Sequence, residues 1–175
     1  AGLLFSQYAD WSNDLARAHL EHTADSLDLL NPGYEGLLGF GRVNAGNALT
    51  VMPAPLIDVA ALLVNGDPLG RPVPGESSTL TVTLSNDWWA ALGVTAVLST
   101  DDPFVTITQA AAAFGDLPAG STAIGSPAYI FDVAPEAGYD HQIAFTLSVS
   151  ANEDAFTTAP EFTIRTRSAE ELVGG

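Results

Sequence analysis

The chain has 175 residues and a formal net charge of −16, because 21 acidic residues face only 5 basic ones, all of them arginine. Since Lys and Arg clusters hold phosphate backbones, this balance argues against nucleic-acid partners and against attraction to anionic membranes. Hydrophobic residues make up 47% of the chain, which excludes a disordered tail, and the absence of cysteine excludes disulfides and thiolate metal sites.

The front of the chain favours short helices. Residues 1–8 form an apolar helical run that is too short to span a bilayer. Ser12 comes before a segment whose apolar residues recur at spacings of three and four, so it is expected to cap a second helix. After the turn-rich segment NPGYEG, Asn44 is placed to cap a last helix over residues 45–49.

A change of composition at MPAPL divides the chain. Two prolines there close a Gly/Ala-rich region and open a Val/Thr-rich one. We therefore expect one domain at residues 1–52 and a second at residues 53–175.

The second domain has the period of two that is typical of half-buried strands. Turn signals such as STDDP and PEAGYD separate its apolar segments. Strands are predicted around IDVAALLV, STLTVTLSN, VTAVLS, FVTIT, YIFDV, IAFTLSV and EFTIR. The expected fold is mainly β, an antiparallel β-sandwich of about seven strands behind a helical segment.

Three segments of the front domain, taken in order, resemble the C-terminal end of a subtilisin-like serine protease catalytic domain. AGLLFSQ resembles the end of the helix that follows the nucleophile, and DWSNDLARAHLEHTAD resembles a later helix of that family. YEGLLGFGRVNAGNAL resembles the closing G-x-G-x-V-N-A segment, in which the matching residues are Gly39, Gly41, Val43, Asn44 and Ala45. The resemblance implies that the parent protein is a secreted, bacterial-type serine endopeptidase and that the helical segment is an incomplete piece of an α/β domain.

The triad residues, the oxyanion-hole Asn and the G-T-S-M-A motif of that family are missing from this sequence. Because serine hydrolysis needs a hydroxyl, a base and an orienting acid together, we expect the chain alone to be inactive. Its apolar helical residues would then need cover from the second domain, from a second copy, or from the upstream catalytic domain. They are Leu3, Leu4, Phe5, Leu15 and Leu20.

The second domain is similar to the immunoglobulin-like or fibronectin-like accessory domains of secreted bacterial proteases. The segments that carry this similarity are GRPVPGESSTLTVTLSN, GVTAVLSTDDPFVTIT, AAAFGDLPAGS and PAYIFDVA. The similarity implies a role in stability, targeting or substrate contact. An extracellular module that binds glycans or proteins in adhesion is the alternative.

The glycine-rich run around Gly36, Gly39, Gly41 and Arg42 invites comparison with a phosphate-binding loop. Its spacing fits neither the Walker nor the dinucleotide pattern, since lysine is absent and Gly46 lies too far along. A backbone-geometry role is favoured.

His19 and His22 lie three residues apart on the second predicted helix, near Glu21 and Asp25, so a zinc site can be drawn. His19 occupies an apolar position of the helix pattern, however, and His22 lies near the helix end. One packed and one surface histidine are therefore favoured, and no metal site is predicted here.

Two further groups are candidate contact sites. Trp88 and Trp89 are adjacent, so at least one is expected to be partly exposed. Packing between domains is favoured for the pair, and contact with a ligand or carbohydrate and a place in the core are the alternatives. Asp101 and Asp102, with Asp67 and Asp140, are candidates for calcium, although aspartates in turns usually bind their own backbone. No other cofactor is expected.

Overall fold

The computed structural model describes residues 2–168, and the chain divides into two compact units, Ala1–Ala54 (unit 1) and Pro55–Gly175 (unit 2). The first helix was predicted to begin at Ala1, which lies outside the described residues.

Unit 1 consists of short helices joined by turns. Helix α1 spans Gly2–Gln7, α2 spans Asn13–His22, a 3-10 turn spans Asp28–Leu30, and α3 spans Ala45–Thr50. No helix among residues 2–168 is long and apolar enough to cross a membrane.

Both predicted helix caps of unit 1 are confirmed. The Ser12 hydroxyl accepts a hydrogen bond from the Leu15 N–H at 3.2 Å, and the Asn44 side chain accepts one from the Asn47 N–H at 2.9 Å. Each cap satisfies a backbone donor that the first helical turn leaves without a partner inside the helix.

Unit 2 contains ten strands within residues 2–168. They are β1 Ile57–Val64, β2 Ser77–Asn86, β3 Ala91–Ser99, β4 Val105–Gln109, β5 Ala111–Leu117, β6 Ser121–Ile124, β7 Tyr129–Val133, β8 Gln142–Ala151, β9 Phe156–Thr158 and β10 Glu161–Arg165.

The strands form two antiparallel sheets, as predicted for a mainly β sandwich. In the part of the chain that the structure describes, one sheet has the order β1-β2-β7-β4, with β6 also on β2. The other has the order β10-β8-β3-β5, with β9 also on β8.

The core lies between the inner faces of these sheets. On β2, Leu80, Val82 and Leu84 are completely buried, and on β8 the buried residues Ile143, Phe145, Leu147 and Val149 alternate with more exposed ones. Burial of Tyr129 in this core raises the pKa of its hydroxyl to about 12. Period-two patterning therefore places one apolar face of each strand in the core.

Three strands were not predicted, so the estimate of about seven strands was low. β5 has the sequence AAAFGDL, whose alanines contribute little hydrophobic contrast and have low strand propensity. β6 and β9 have 4 and 3 residues, too few to show a period.

Candidate functional site

The segment that carries the protease resemblance is joined to the chain just after α2 by a two-way backbone bridge. The Asp25 N–H donates to the Arg42 carbonyl at 2.8 Å, and the Arg42 N–H donates to the Asp25 carbonyl at 3.0 Å. Gly41 has φ +101°, and a Cβ at this position would collide with the Asp25 carbonyl oxygen. Only glycine fits this close approach.

Side chains reinforce this bridge. Arg42 Nη2 donates to one carboxylate oxygen of Asp25 at 2.9 Å, and Asn44 Nδ2 donates to the other at 2.8 Å. The hydrogen bond from Asn44, followed by the contact with Arg42, lowers the pKa of Asp25 below its usual 3.8. A protein carboxylate thus engages the Arg42 guanidinium, which supports the backbone-geometry interpretation over phosphate binding.

The remaining motif residues have structural positions as well. Gly36 and Gly39 have φ of +72° and +62° and lie in turns. Val43 is exposed, and Ala45 and Gly46 begin α3. These residues thus lie in turns, beside the backbone bridge to Asp25 and in the first turn of α3.

The two histidines of α2 bind different carbonyls. His19 is completely buried, and its Nε2 donates to the Ala48 carbonyl at 2.9 Å. His22 Nδ1 donates to the Ala18 carbonyl at 2.8 Å, one turn earlier on the same helix. Because a carbonyl only accepts, both of these ring nitrogens carry a hydrogen.

An aromatic cluster surrounds His19. The ring of Trp11 stacks on Tyr8 with a centroid distance of 4.1 Å and meets His19 edge-on at 5.0 Å. Within residues 2–168, no group of three His, Cys, Asp or Glu side chains is arranged to hold a metal ion. The histidine geometry is that of packing between α2 and α3.

Unit 1 leaves much of its apolar surface in solvent. Of the five side chains expected to need cover, Leu4 is buried, Leu3 is 61% exposed, and the other three are partly buried. An open groove of ≈ 360 Å³ on this unit is lined by Phe5, Leu20, Phe40 and Val43, among others. Large exposed apolar side chains elsewhere in the unit are Leu29, Leu30, Tyr34, Leu37, Leu38, Val51 and Met52.

In unit 2, the tryptophan pair is held by a buried asparagine at the end of β2. Asn86 is completely buried, and its Oδ1 accepts from the N–H groups of Leu56 at 3.0 Å and Trp88 at 3.4 Å. Its Nδ2 donates to the carbonyls of Trp89 at 2.6 Å and Leu117 at 2.9 Å. One side chain therefore fixes the β2–β3 turn, the chain before β1 and the end of β5.

The turn gives the two tryptophans different environments. Trp88 is buried at 9% exposure, whereas Trp89 is partly exposed and lines an open depression of ≈ 720 Å³ with Leu92, Asn152 and Glu153. The Asn152 side chain accepts from the Leu92 N–H at 2.9 Å, and the Asn152 N–H donates to the Leu92 carbonyl at 2.8 Å. Of the pair, Trp89 is thus the one placed for a surface contact.

Asp102 is occupied by contacts inside the protein. One carboxylate oxygen lies 2.6 Å from His141 Nε2, and the other accepts from the Phe104 N–H at 2.9 Å. The ring of Phe104 meets His141 edge-on at 5.5 Å. His141 lies far from Asp102 in sequence, so no local pattern indicated this pair.

The other calcium candidates lie in separate turns. Asp67 accepts from the Leu69 N–H at 2.8 Å, as turn aspartates usually do. Asp140 lies 3.9 Å from Arg71, and Asp101 lies in the turn beside Asp102. The arrangement provides local backbone partners for two of the four carboxylates and does not converge on one point.

The architecture of unit 2 defines a β-sandwich domain. No protein-family model matches the chain, and a search of curated proteins returns no match. Solved structures similar to it include three bacterial proteins. A FixG-related protein from Vibrio parahaemolyticus has 9% identity and a TM-score of 0.36, over 64% of this chain and 95% of that one. The sporulation control protein Spo0M from Bacillus subtilis has 13% identity and a TM-score of 0.36, over 67% of this chain and 50% of that one.

The third, a conjugative transposon lipoprotein from Bacteroides eggerthii, has 11% identity and a TM-score of 0.32, over 63% of this chain and 93% of that one. Likeness at this level carries no inference about function.

Proposed function

We propose that this chain is the non-catalytic C-terminal part of a secreted subtilisin-like serine endopeptidase. Unit 1 would be the closing segment of the catalytic domain, and the β-sandwich an accessory domain for structure, targeting or substrate contact. The proposed family rests on the resemblance of three segments in unit 1 to subtilisin-like proteases. The observation that supports the proposal is the exposed apolar surface of unit 1.

The apolar surface supports this assignment because it is too extensive for a free-standing unit. Among residues 2–54, the part of unit 1 that the structure describes, Leu4, Ala16 and Ala48 are the buried apolar residues. Each large apolar side chain left in water forgoes about 1.5–3 kcal/mol relative to full burial. Large exposed apolar patches mark contacts with other protein, and the groove lined by Phe5, Leu20, Phe40 and Val43 is a candidate for one. The proposed cover is the upstream part of the same catalytic domain.

The bridge between Asp25 and Arg42 gives the motif residues a role in this proposal. It fixes the closing segment against the end of α2, and α3 then packs on α2 through the hydrogen bond from His19 to Ala48. The G-x-G-x-V-N-A segment would act as a structural closure of the domain and supply none of its catalytic groups.

The gene sequence upstream of the Ala1 codon tests the proposal first. We expect it to encode a G-T-S-x-A motif shortly before Ala1 and the triad Asp and His further upstream. A start codon close to Ala1, with no such motif, would overturn the assignment.

A substitution in the apolar groove tests the proposed cover. Phe40 is 59% exposed, so Phe40→Ser in the isolated chain should change the free energy of unfolding by less than about 1 kcal/mol. In the full-length parent the same change should lower the yield of folded protease several-fold, because there the side chain would be buried.

The matched control is Ile124→Ser, which removes an exposed apolar side chain of unit 2 and should be neutral in both proteins. Equal effects of Phe40→Ser in both proteins would contradict the proposal, and a concentration-dependent dimer of the isolated chain would point to a second copy as the cover.

The position of Trp89 favours a second candidate function, an extracellular module that binds glycans or proteins in adhesion. A partly exposed tryptophan beside polar groups is suited to stacking on a sugar ring. A glycan array should then show binding that Trp89→Ala abolishes and Trp89→Phe partly retains. If the wild-type chain binds no glycan on the array, glycan binding is excluded as the function of this surface.

A further inference from the structure

We propose that the peptide bond between Asp67 and Pro68 is a self-cleavage site, where the Asp67 side chain cuts the chain in mild acid without a protease. The bond lies in the loop between β1 and β2, and both of its residues are exposed to water. The proposal does not depend on the protease assignment.

The attacking group is the carboxyl of Asp67, which lies on the same residue as the carbonyl that it would attack. Attack by a carboxyl oxygen on the peptide carbon of Asp67 closes a five-membered ring, so the step is intramolecular and has a high effective concentration. One carboxylate oxygen accepts from the Leu69 N–H at 2.8 Å, which orients the group. The nucleophile is therefore held beside its target.

Two backbone N–H groups donate to the carbonyl oxygen of the bond that would break. The N–H groups of Val64 and Gly70 each lie 3.0 Å from the Asp67 carbonyl oxygen. Negative charge develops on this oxygen when the tetrahedral intermediate forms, and the two donors would stabilise it as an oxyanion hole does. A Cβ on Gly70 would collide with the Val64 carbonyl oxygen, and Val64 is buried at the end of β1. Both donors are thus in place before the reaction begins.

Pro68 is the leaving group of the step. The bond from the carboxyl oxygen to the peptide carbon forms, the C–N bond to Pro68 breaks, and the carboxyl proton passes to the proline nitrogen. The products are a cyclic anhydride at Asp67 and a new amino terminus at Pro68. Water then opens the anhydride and leaves a C-terminal Asp67 with two carboxyl groups. Because the carboxyl must carry the proton that it donates, the step is faster in acid.

The charged residues of the neighbouring groove do not take up this proton. A groove of ≈ 400 Å³ is lined by Pro68 and Leu69 together with Arg71 and Arg165, and Asp140 lies 3.9 Å from Arg71. Arginine keeps its proton across the pH range in which proteins fold. The carboxyl of Asp67 is therefore the acid of the step.

A second Asp–Pro bond, between Asp102 and Pro103, allows a comparison within the same chain. The Phe104 N–H donates to one carboxylate oxygen of Asp102 at 2.9 Å, as the N–H two residues after Asp67 does there. The two sites therefore have the same chemical groups and the same local turn.

The two sites differ in what else contacts the aspartate. The second carboxylate oxygen of Asp102 lies 2.6 Å from His141 Nε2, and this side chain is only 9% exposed. Among the described residues, the backbone donor to the Asp102 carbonyl is the Val105 N–H, at 3.2 Å. With one donor fewer and its carboxylate engaged, the Asp102–Pro103 bond should persist under conditions that cut Asp67–Pro68.

The cut would separate β1 from the chain that follows it. Strand β1 pairs with β2 from Ile57 opposite Asn86 to Val64 opposite Leu80, and both ends of β1 are buried in the core. The fragments 1–67 and 68–175 would therefore stay associated while folded and separate on unfolding. Mild acid would thus convert the covalent link between unit 1 and most of the sandwich into a noncovalent one.

The test incubates the full chain at about pH 5, folded and in concentrated urea, and measures the fragments by mass spectrometry after unfolding. The folded chain should give fragments 1–67 and 68–175. This cut should be at least about tenfold faster than the cut at Asp102–Pro103, and at least about tenfold faster than either cut in urea, because only the folded loop positions two donors.

Three variants identify the groups that react. Asp67→Asn keeps an acceptor for the Leu69 N–H but removes the acid, and Pro68→Ala replaces the leaving group with an ordinary amide, so each should stop the cut. Asp58→Asn, which changes an exposed aspartate of β1, is the matched control and should leave the rate unchanged. Circular dichroism checks that each variant is folded at the pH of the incubation.

Each remaining outcome counts against the proposal. An intact folded chain would overturn it. Equal rates at the two Asp–Pro bonds, or a faster cut in urea, would show only the general acid lability of such bonds. A cut that persists in folded Asp67→Asn, or that a protease inhibitor blocks, would assign the cleavage to a contaminating enzyme.

Discussion

At the scale of single residues, a few polar side chains connect segments that are distant in sequence. Asn86 is completely buried and makes four hydrogen bonds, two within its own turn and two to distant segments, at Leu56 and Leu117. In unit 1, Asp25 receives the side chains of both Arg42 and Asn44. Because a buried or clustered polar group that loses its partner pays its full desolvation cost, these residues should be sensitive to change.

Replacing Asn86 should strongly destabilise the β-sandwich. Asn86→Ala leaves two carbonyls and two N–H groups without their side-chain partner, so we expect the free energy of unfolding to fall by about 2–4 kcal/mol. Urea denaturation followed by tryptophan fluorescence measures this. The exposed Asn13 offers a control, since Asn13→Ala should change stability by less than about 0.5 kcal/mol. A loss of the same small size at Asn86 would show that the network is not important.

The pKa of Asp25 should depend on both Asn44 and Arg42. Its folded-state pKa lies below 3.8, so its contacts stabilise the fold above about pH 4 and lose that contribution as the pH falls through the lowered pKa. Asn44→Ala and Arg42→Gln should each raise the pKa of Asp25 toward 3.8, because each removes a hydrogen bond to the charged carboxylate. An NMR titration of the Asp25 carboxyl carbon measures both shifts. An unchanged pKa in either variant would contradict the role of that side chain.

Residue patterns predicted the caps but not the polar network. Ser12 and Asn44 stand directly before helical periodicity, where a capping residue acts on backbone three positions away. Asn86, in contrast, binds residues up to 31 positions away, and its position at the end of a strand is typical of an ordinary turn.

At the scale of elements, each sheet of unit 2 is stabilised by one apolar face per strand. Several strands that the sequence predicted have clear alternation, as in β2 and β8, where the buried pattern is regular along nearly the whole strand. Strands β5, β6 and β9 are set by pairing with neighbours, β5 on β3, β6 on β2 and β9 on β8. Tertiary pairing can thus determine a strand where propensity does not.

Two isoleucines on different strands test the burial pattern with the same side chain. Ile143 on β8 is completely buried, whereas Ile124 on β6 is 64% exposed. Ile143→Ala should lower the free energy of unfolding by about 2–5 kcal/mol, and Ile124→Ala by less than about 1 kcal/mol. Chemical denaturation of the two variants gives the comparison. Equal losses would mean that the inner and outer faces have been assigned incorrectly.

At the scale of the whole molecule, the two units differ in how completely they bury apolar surface. Unit 2 encloses one continuous core that draws on both sheets. Unit 1 spans only Ala1–Ala54 and exposes Leu29, Leu37 and Phe40 to solvent. A unit of this size has little core of its own, so the proposed catalytic domain upstream would supply what it lacks.

Activity-based labelling of the native polypeptide tests whether the chain belongs to a serine endopeptidase. The protein is isolated from the organism that encodes it with an antibody against the β-sandwich, treated with a fluorophosphonate probe, and mapped by mass spectrometry. We expect one polypeptide, or a tightly associated pair, that contains residues 1–175 and a labelled serine upstream of Ala1, while the isolated chain takes up no label. A native polypeptide without any labelled upstream serine would contradict this assignment.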